Sequence, residues 1–202
     1  SNLISPATAV ALAELPTPTP NYGACPVAID DPPIEDTPPL NAPIVIEEIT
    51  RYLNDGGNVE TLNRTLRDGW QIVRDEDTLR ADIDFTGEGT AEVLISYLNP
   101  DSRAALLILG CVEGEYRLLY DFEAQDATPL TFIGLGDMNR DLRSDVLFAS
   151  RVCPPEAETD EACELQTRLI AWQASQYRFA DLLDAEVLSV SAPQINDIDA
   201  DQ

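Results

Sequence analysis

Apolar residues first recur at helical spacing and then, for most of the chain, at strand spacing. Val45, Ile46, Ile49, Tyr52 and Leu53 return every three or four residues, and Gly56-Gly57 follow as a stop. Asn58 can cap a second helix in which Val59, Leu62 and Leu66 share a face, with Gly69 beyond its end. Residues 44–69 therefore read as a helical hairpin. After Trp70 the pattern predicts strands at 78–83, 91–98, 104–111, 116–122, 130–135, 145–153, 166–172, 177–183 and 187–191, separated by regular turn signals. Residues 1–43 hold most of the prolines, in stretches such as PTPTP and DTPPL, and read as an extended tether.

The strand region repeats. AALLILGCVEGEYRLLYDF followed by PLTFIGLGDMNRD is echoed by QTRLIAWQASQYRFADLL followed by EVLSVSAPQINDIDAD. Matching acidic positions Asp84, Asp137 and Asp197 lie 53 and 60 residues apart, a period that fits a four-stranded unit. The expected fold is mainly β: residues 70–202 form two four-stranded antiparallel propeller-blade-like repeats, preceded by the helical hairpin, with a third motif truncated.

Composition narrows the function classes. Among 202 residues, 37 acidic side chains face 12 basic ones, all Arg, for a net charge of −25. That field repels phosphate backbones and anionic headgroups, so nucleic acid and membrane surfaces are not expected partners. With no histidine, Ser-His-Asp and Cys-His catalysis and imidazole metal ligation are ruled out. No apolar run approaches the ~20 residues of a membrane helix. Ala7–Leu15 is apolar but short and interrupted by Glu14, so it does not read as a signal peptide; a signal or anchor upstream of Ser1 is the expectation.

Four cysteines, Cys25, Cys111, Cys153 and Cys163, permit three pairings. Cys153–Cys163 is preferred because the polar segment PPEAETDEA between them separates two apolar runs; Cys25–Cys111 would then pin the tail to the β region. The absence of CxxC argues against zinc ribbons and thioredoxin-like chemistry, and an even count beside a Pro/Thr tail points to an oxidising, extracytoplasmic compartment, against the alternative of four buried free thiols.

Carboxylates concentrate in the turns. In DMNRDLRSD, Asp137, Asn139, Asp141 and Asp145 occupy relative positions 1, 3, 5 and 9, and Arg143 at position 7 would offer its carbonyl. Alternate residues of a tight loop can point oxygens inward, as calcium requires. In DFTGEGTAE, Asp84, Thr86, Glu88 and Glu92 take the same positions, with Gly89 at position 6, where positive φ is often needed. A third loop, Asp197–Asp201, lacks its position 9, as in a piece of something longer. Position 12 after Asp137 is Phe148, which excludes an EF-hand. The alternative for each loop is an acidic solvated turn.

These loops resemble the DxDxDGxxD turns of FG-GAP/VCBS repeats, over roughly residues 78–202 and most strongly at DMNRDLRSD. The resemblance implies bound Ca2+, extracellular propeller blades, and adhesion or ligand binding. Two departures stand out: Leu142 replaces the usual glycine at position 6, and two full repeats cannot close a ring. The expected function is a non-catalytic, extracellular, calcium-binding structural or recognition module of a larger secreted or surface-anchored protein, with an extracellular protein or glycan as ligand. A carbohydrate-active protein is the alternative: a glycoside hydrolase with paired carboxylates, or a sugar-binding module stacking rings on Trp70 and Trp172.

Overall fold

The computed structural model describes residues 25–26, 31–74, 78–154 and 163–183. Helix α1 spans Ala42–Asn54; the Asn41 side chain caps it by accepting from the Ile44 amide, and a proline stands in its first turn. Helix α2 spans Val59–Arg64 and is capped by Asn58, whose side chain accepts from the Glu60 amide at 2.7 Å. It continues into a π-helical turn, Thr65–Gly69, where the Trp70 amide reaches the Thr65 carbonyl.

Among the described residues eight strands follow: β1 Leu79–Ile83, β2 Glu92–Leu98, β3 Ala104–Val112, β4 Glu115–Glu123, β5 Thr131–Gly136, β6 Asp145–Val152, β7 Glu164–Gln173 and β8 Arg178–Asp181. Each coincides with a predicted strand to within two or three residues; the ninth, at 187–191, lies outside the described residues. The strands form two four-stranded antiparallel sheets in simple order, β1-β2-β3-β4 and β5-β6-β7-β8. Here the propeller-blade expectation needs correction. Both sheets are open and neither closes nor curls, so the architecture is a mainly β stack of two sheets with two short helices, not a propeller.

Strand alternation explains the stacking. On the first sheet Val93, Ile95 and Tyr97 of β2, with Leu107 and Leu109 of β3, face Val45, Ile49, Leu53, Leu62 and Leu66 of the helices. The opposite face of that sheet, with Leu94, Leu106 and Ile108, packs on Val146, Phe148, Ile170 and Trp172 of the second. Thus β2 and β3 are buried on both faces and read as continuous apolar runs. Phe122 and Phe148 meet edge to face at 5.3 Å, as do Trp172 and Phe179.

Part of the proline-rich segment is held against the helices. Tyr52 donates its hydroxyl to Asp31 at 2.6 Å, Trp70 donates Nε1 to the Glu35 carbonyl at 2.7 Å, and Ile34 joins the helix-side core. Burial, then the neighbouring Asp31, pushes the Tyr52 phenol up to about 12. All four cysteines are paired, Cys25 with Cys111 and Cys153 with Cys163, the pairing preferred from the sequence.

Candidate functional site

The two described acidic loops occupy the same place in each sheet. Residues 84–91 join β1 to β2, and residues 137–144 join β5 to β6. Their hydrogen bonds correspond at positions 6 and 9, and differ in one partner of the position-1 carboxylate, position 4 in the first loop and position 5 in the second. At position 1, Asp84 accepts from the amides of Gly87 (2.7 Å) and Gly89 (2.8 Å), while Asp137 accepts from those of Asp141 (3.1 Å) and Leu142 (2.9 Å). At position 9, one oxygen of Glu92 accepts from Phe85 (2.7 Å) and Thr86 (3.3 Å); one oxygen of Asp145 accepts from Met138 (2.8 Å) and Asn139 (3.1 Å). The other position-9 oxygen accepts from the position-3 side chain, Thr86 Oγ1 at 3.0 Å and Asn139 Nδ2 at 3.2 Å. Position 6 is left-handed in both, with φ +88° at Gly89 and +69° at Leu142.

These bonds correct the metal assignment. Among the described residues no three His, Cys, Asp or Glu side chains converge to hold a metal ion, so Ca2+ is not supported at Asp137, Asn139, Asp141 and Asp145, nor at Asp84, Thr86, Glu88 and Glu92. The physical reason lies in the loops' own amides. Carboxylates at positions 1 and 9 turn onto N–H groups that the tight backbone leaves unpaired, and Thr86 and Asn139 act as donors toward position 9. Glu88 is exposed. Arg143 presents a guanidinium instead of only a carbonyl: its Nε donates to the Thr86 carbonyl at 2.8 Å, and its Nη1 lies 3.8 Å from Asp141 Oδ2. A cation is therefore present between the loops, and it is a side chain. The third loop, Asp197–Asp201, lies outside the described residues.

Burial separates the acids into two kinds. Glu92 and Asp145, each heading an apolar strand, are 1% and 0% exposed. Burial, reinforced for Glu92 by the Asp84 charge, overrides the bonds from Phe85 and Thr86 and pushes that carboxyl up to about 7. Asp145 is raised for the same reason, with Asp141 and Asp137 adding to the effect and the Met138 and Asn139 amides opposing it. Gly110 on β3 makes room for Glu92, since a Cβ there would stand 2.9 Å from Glu92 Cγ. Asp137, Asn139 and Asp141, by contrast, are exposed.

Trp70 and Trp172, the two candidate sugar-stacking residues, are 4% and 3% exposed and belong to the two cores. Two cavities of about 340 Å³ flank the 31–41 segment, one lined by Pro32, Arg64 and Asp68, the other by Pro38, Arg51 and Trp70; no loop residue lines either. Sequence reading missed Gly87, Gly110 and the side chain of Arg143. Their partners lie in other strands or the other loop, and no local signal announces them.

Comparison with known protein families, characterised proteins and solved structures finds no match to this chain. What the fold and site define is a class only: a disulfide-stapled, two-sheet β protein with a duplicated acidic loop. Among the described residues no helix is long and apolar enough to cross a membrane.

Proposed function

We propose that the chain is a non-catalytic structural and recognition module of a secreted or surface-anchored protein, and that its paired acidic loops contact a positively charged surface of an extracellular protein. The observation that carries this reading is the duplication of one loop geometry, with the two copies joined side by side by Arg143. Two disulfides suit an extracytoplasmic setting. The exposed carboxylates at Glu88, Asp137 and Asp141, on a chain of net charge −25, favour a cationic partner. The two raised carboxylates, Glu92 and Asp145, are committed to their own loops' amides and open onto neither cavity, which supports a non-catalytic role. The spacing and left-handed sixth position also support kinship with FG-GAP/VCBS repeats, as a divergent form whose loops are held by hydrogen bonds.

Titration with an Arg-rich nonapeptide, followed by backbone amide NMR, tests the reading. Shifts concentrated in residues 84–92 and 137–145, and affinity weakened more by Glu88→Gln/Asp141→Asn than by Glu47→Gln/Glu60→Gln on the helices, are expected. Equal weakening by both pairs would reduce the loops to part of a general acidic surface and refute the proposal.

A further inference from the structure

We infer that Gly87 and Arg143 form a clasp that makes the order of one acidic loop depend on the other, a mechanical property that stands apart from whatever the loops recognise. Arg143 reaches across 57 residues of sequence to the Thr86 carbonyl. Thr86 is also the residue whose amide and hydroxyl both donate to Glu92. One fully buried residue thus ties the carboxylate heading β2 to the guanidinium of the second unit.

Gly87 is required by space more than by backbone shape. Its φ is +77°, yet Arg140, its counterpart at position 4 of the second loop, adopts +65° with a full side chain. A Cβ at Gly87 would stand 2.9 Å from Arg143 Nε and 3.3 Å from its Cγ. At Gly89, also left-handed, a Cβ would meet nothing within 4 Å. Any side chain at 87 therefore displaces the guanidinium from Thr86, whereas one at 89 leaves it in place. The clasp is directional, since position 7 of the first loop is Thr90, which carries no guanidinium.

Amide hydrogen exchange on the whole chain, read at Phe85 and Thr86, tests this. Arg143→Ala is expected to accelerate both amides roughly five- to tenfold, the factor that corresponds to one hydrogen bond of ordinary net strength, while Leu94 and Leu107 in the strands keep their rates. Gly87→Asn is expected to match it and Gly89→Asn to change little, although asparagine tolerates the left-handed region equally at both sites. The double variant Gly87→Asn/Arg143→Ala should exchange no faster than either single one. Acceleration confined to Met138 and Asn139, or effects of Gly87 and Arg143 that multiply, would overturn the clasp. Should Gly87→Asn fold poorly, Arg143→Lys decides alone: it keeps the charge without the Nε donor, and unchanged rates at Phe85 and Thr86 would refute the inference.

Discussion

Glu92 joins a buried charge to a hydrogen-bonded loop, and the two pull its proton in opposite directions. Burial wins and raises the carboxyl from 4.5 to about 7. The folded chain then holds the proton more tightly than the unfolded one, so this residue's contribution is complete below about 4.5 and is lost as pH rises through about 7. The span corresponds to stability on the order of 3 kcal/mol. Glu92→Gln can still accept from Phe85 and Thr86 and has no proton to lose. Urea unfolding from pH 4.5 to 8 should therefore show wild type losing stability relative to this variant, and parallel curves would contradict the assignment. Glu92→Ala leaves two buried amides unpaired and should cost about 2–4 kcal/mol near pH 4.5, a cost that shrinks toward pH 8 as wild type loses its own proton-linked stability. Leu142 is the converse case. It is 93% exposed at φ +69°, so its side chain gains nothing from burial while its backbone is strained. Leu142→Gly should raise stability by up to about 1 kcal/mol, the relief exceeding the entropy that glycine adds to the unfolded chain; thermal denaturation reads the sign.

Among the elements, the two disulfides differ mostly in the loop each closes. Cys25–Cys111 spans 86 residues and Cys153–Cys163 spans 10. Loop-closure entropy assigns about 4.6 kcal/mol to the first and about 2.7 kcal/mol to the second. The Cys25→Ala/Cys111→Ala variant should accordingly be the less stable of the two pairs by about 2 kcal/mol in denaturant titration. The strands themselves were legible in the sequence because their evidence is local: alternation, Gly and Asn at turns, and a period that returned the same loop after 53 residues. Curvature was not legible, although two full repeats were already too few to close a ring. The pattern that predicts four antiparallel strands is the same for a flat stack as for a blade, because it records only which face of each strand is buried.

The described residues stack three layers deep, helices on one sheet and that sheet on another, with the second core built from both sheets. Phe148 lies at its centre, 0% exposed and against Phe122 and Phe132. Phe148→Ala should cost about 3–5 kcal/mol. Because the lost contacts belong to both sheets, the loss should appear at once in amides of β3 and β6; a loss confined to β6 would show the sheets to be independent.

The sequence by itself determined the strand and helix positions among the described residues and the duplicated spacing of the acidic loops, and it favoured, without fixing, the cysteine pairing that the structure bears out. Each follows from chain-local chemistry, where periodicity and turn preference act over a few residues. Tertiary structure alone decided how the two sheets stack and where the acidic oxygens point. Asp84, Asp137, Glu92 and Asp145 had the spacing for a cation, but the folded backbone brought its own unpaired amides within reach first. The positive charge between the loops came from Arg143, placed beside Thr86 only by packing one unit on the other. Spacing records which groups are available, and only the folded backbone sets which of them meet.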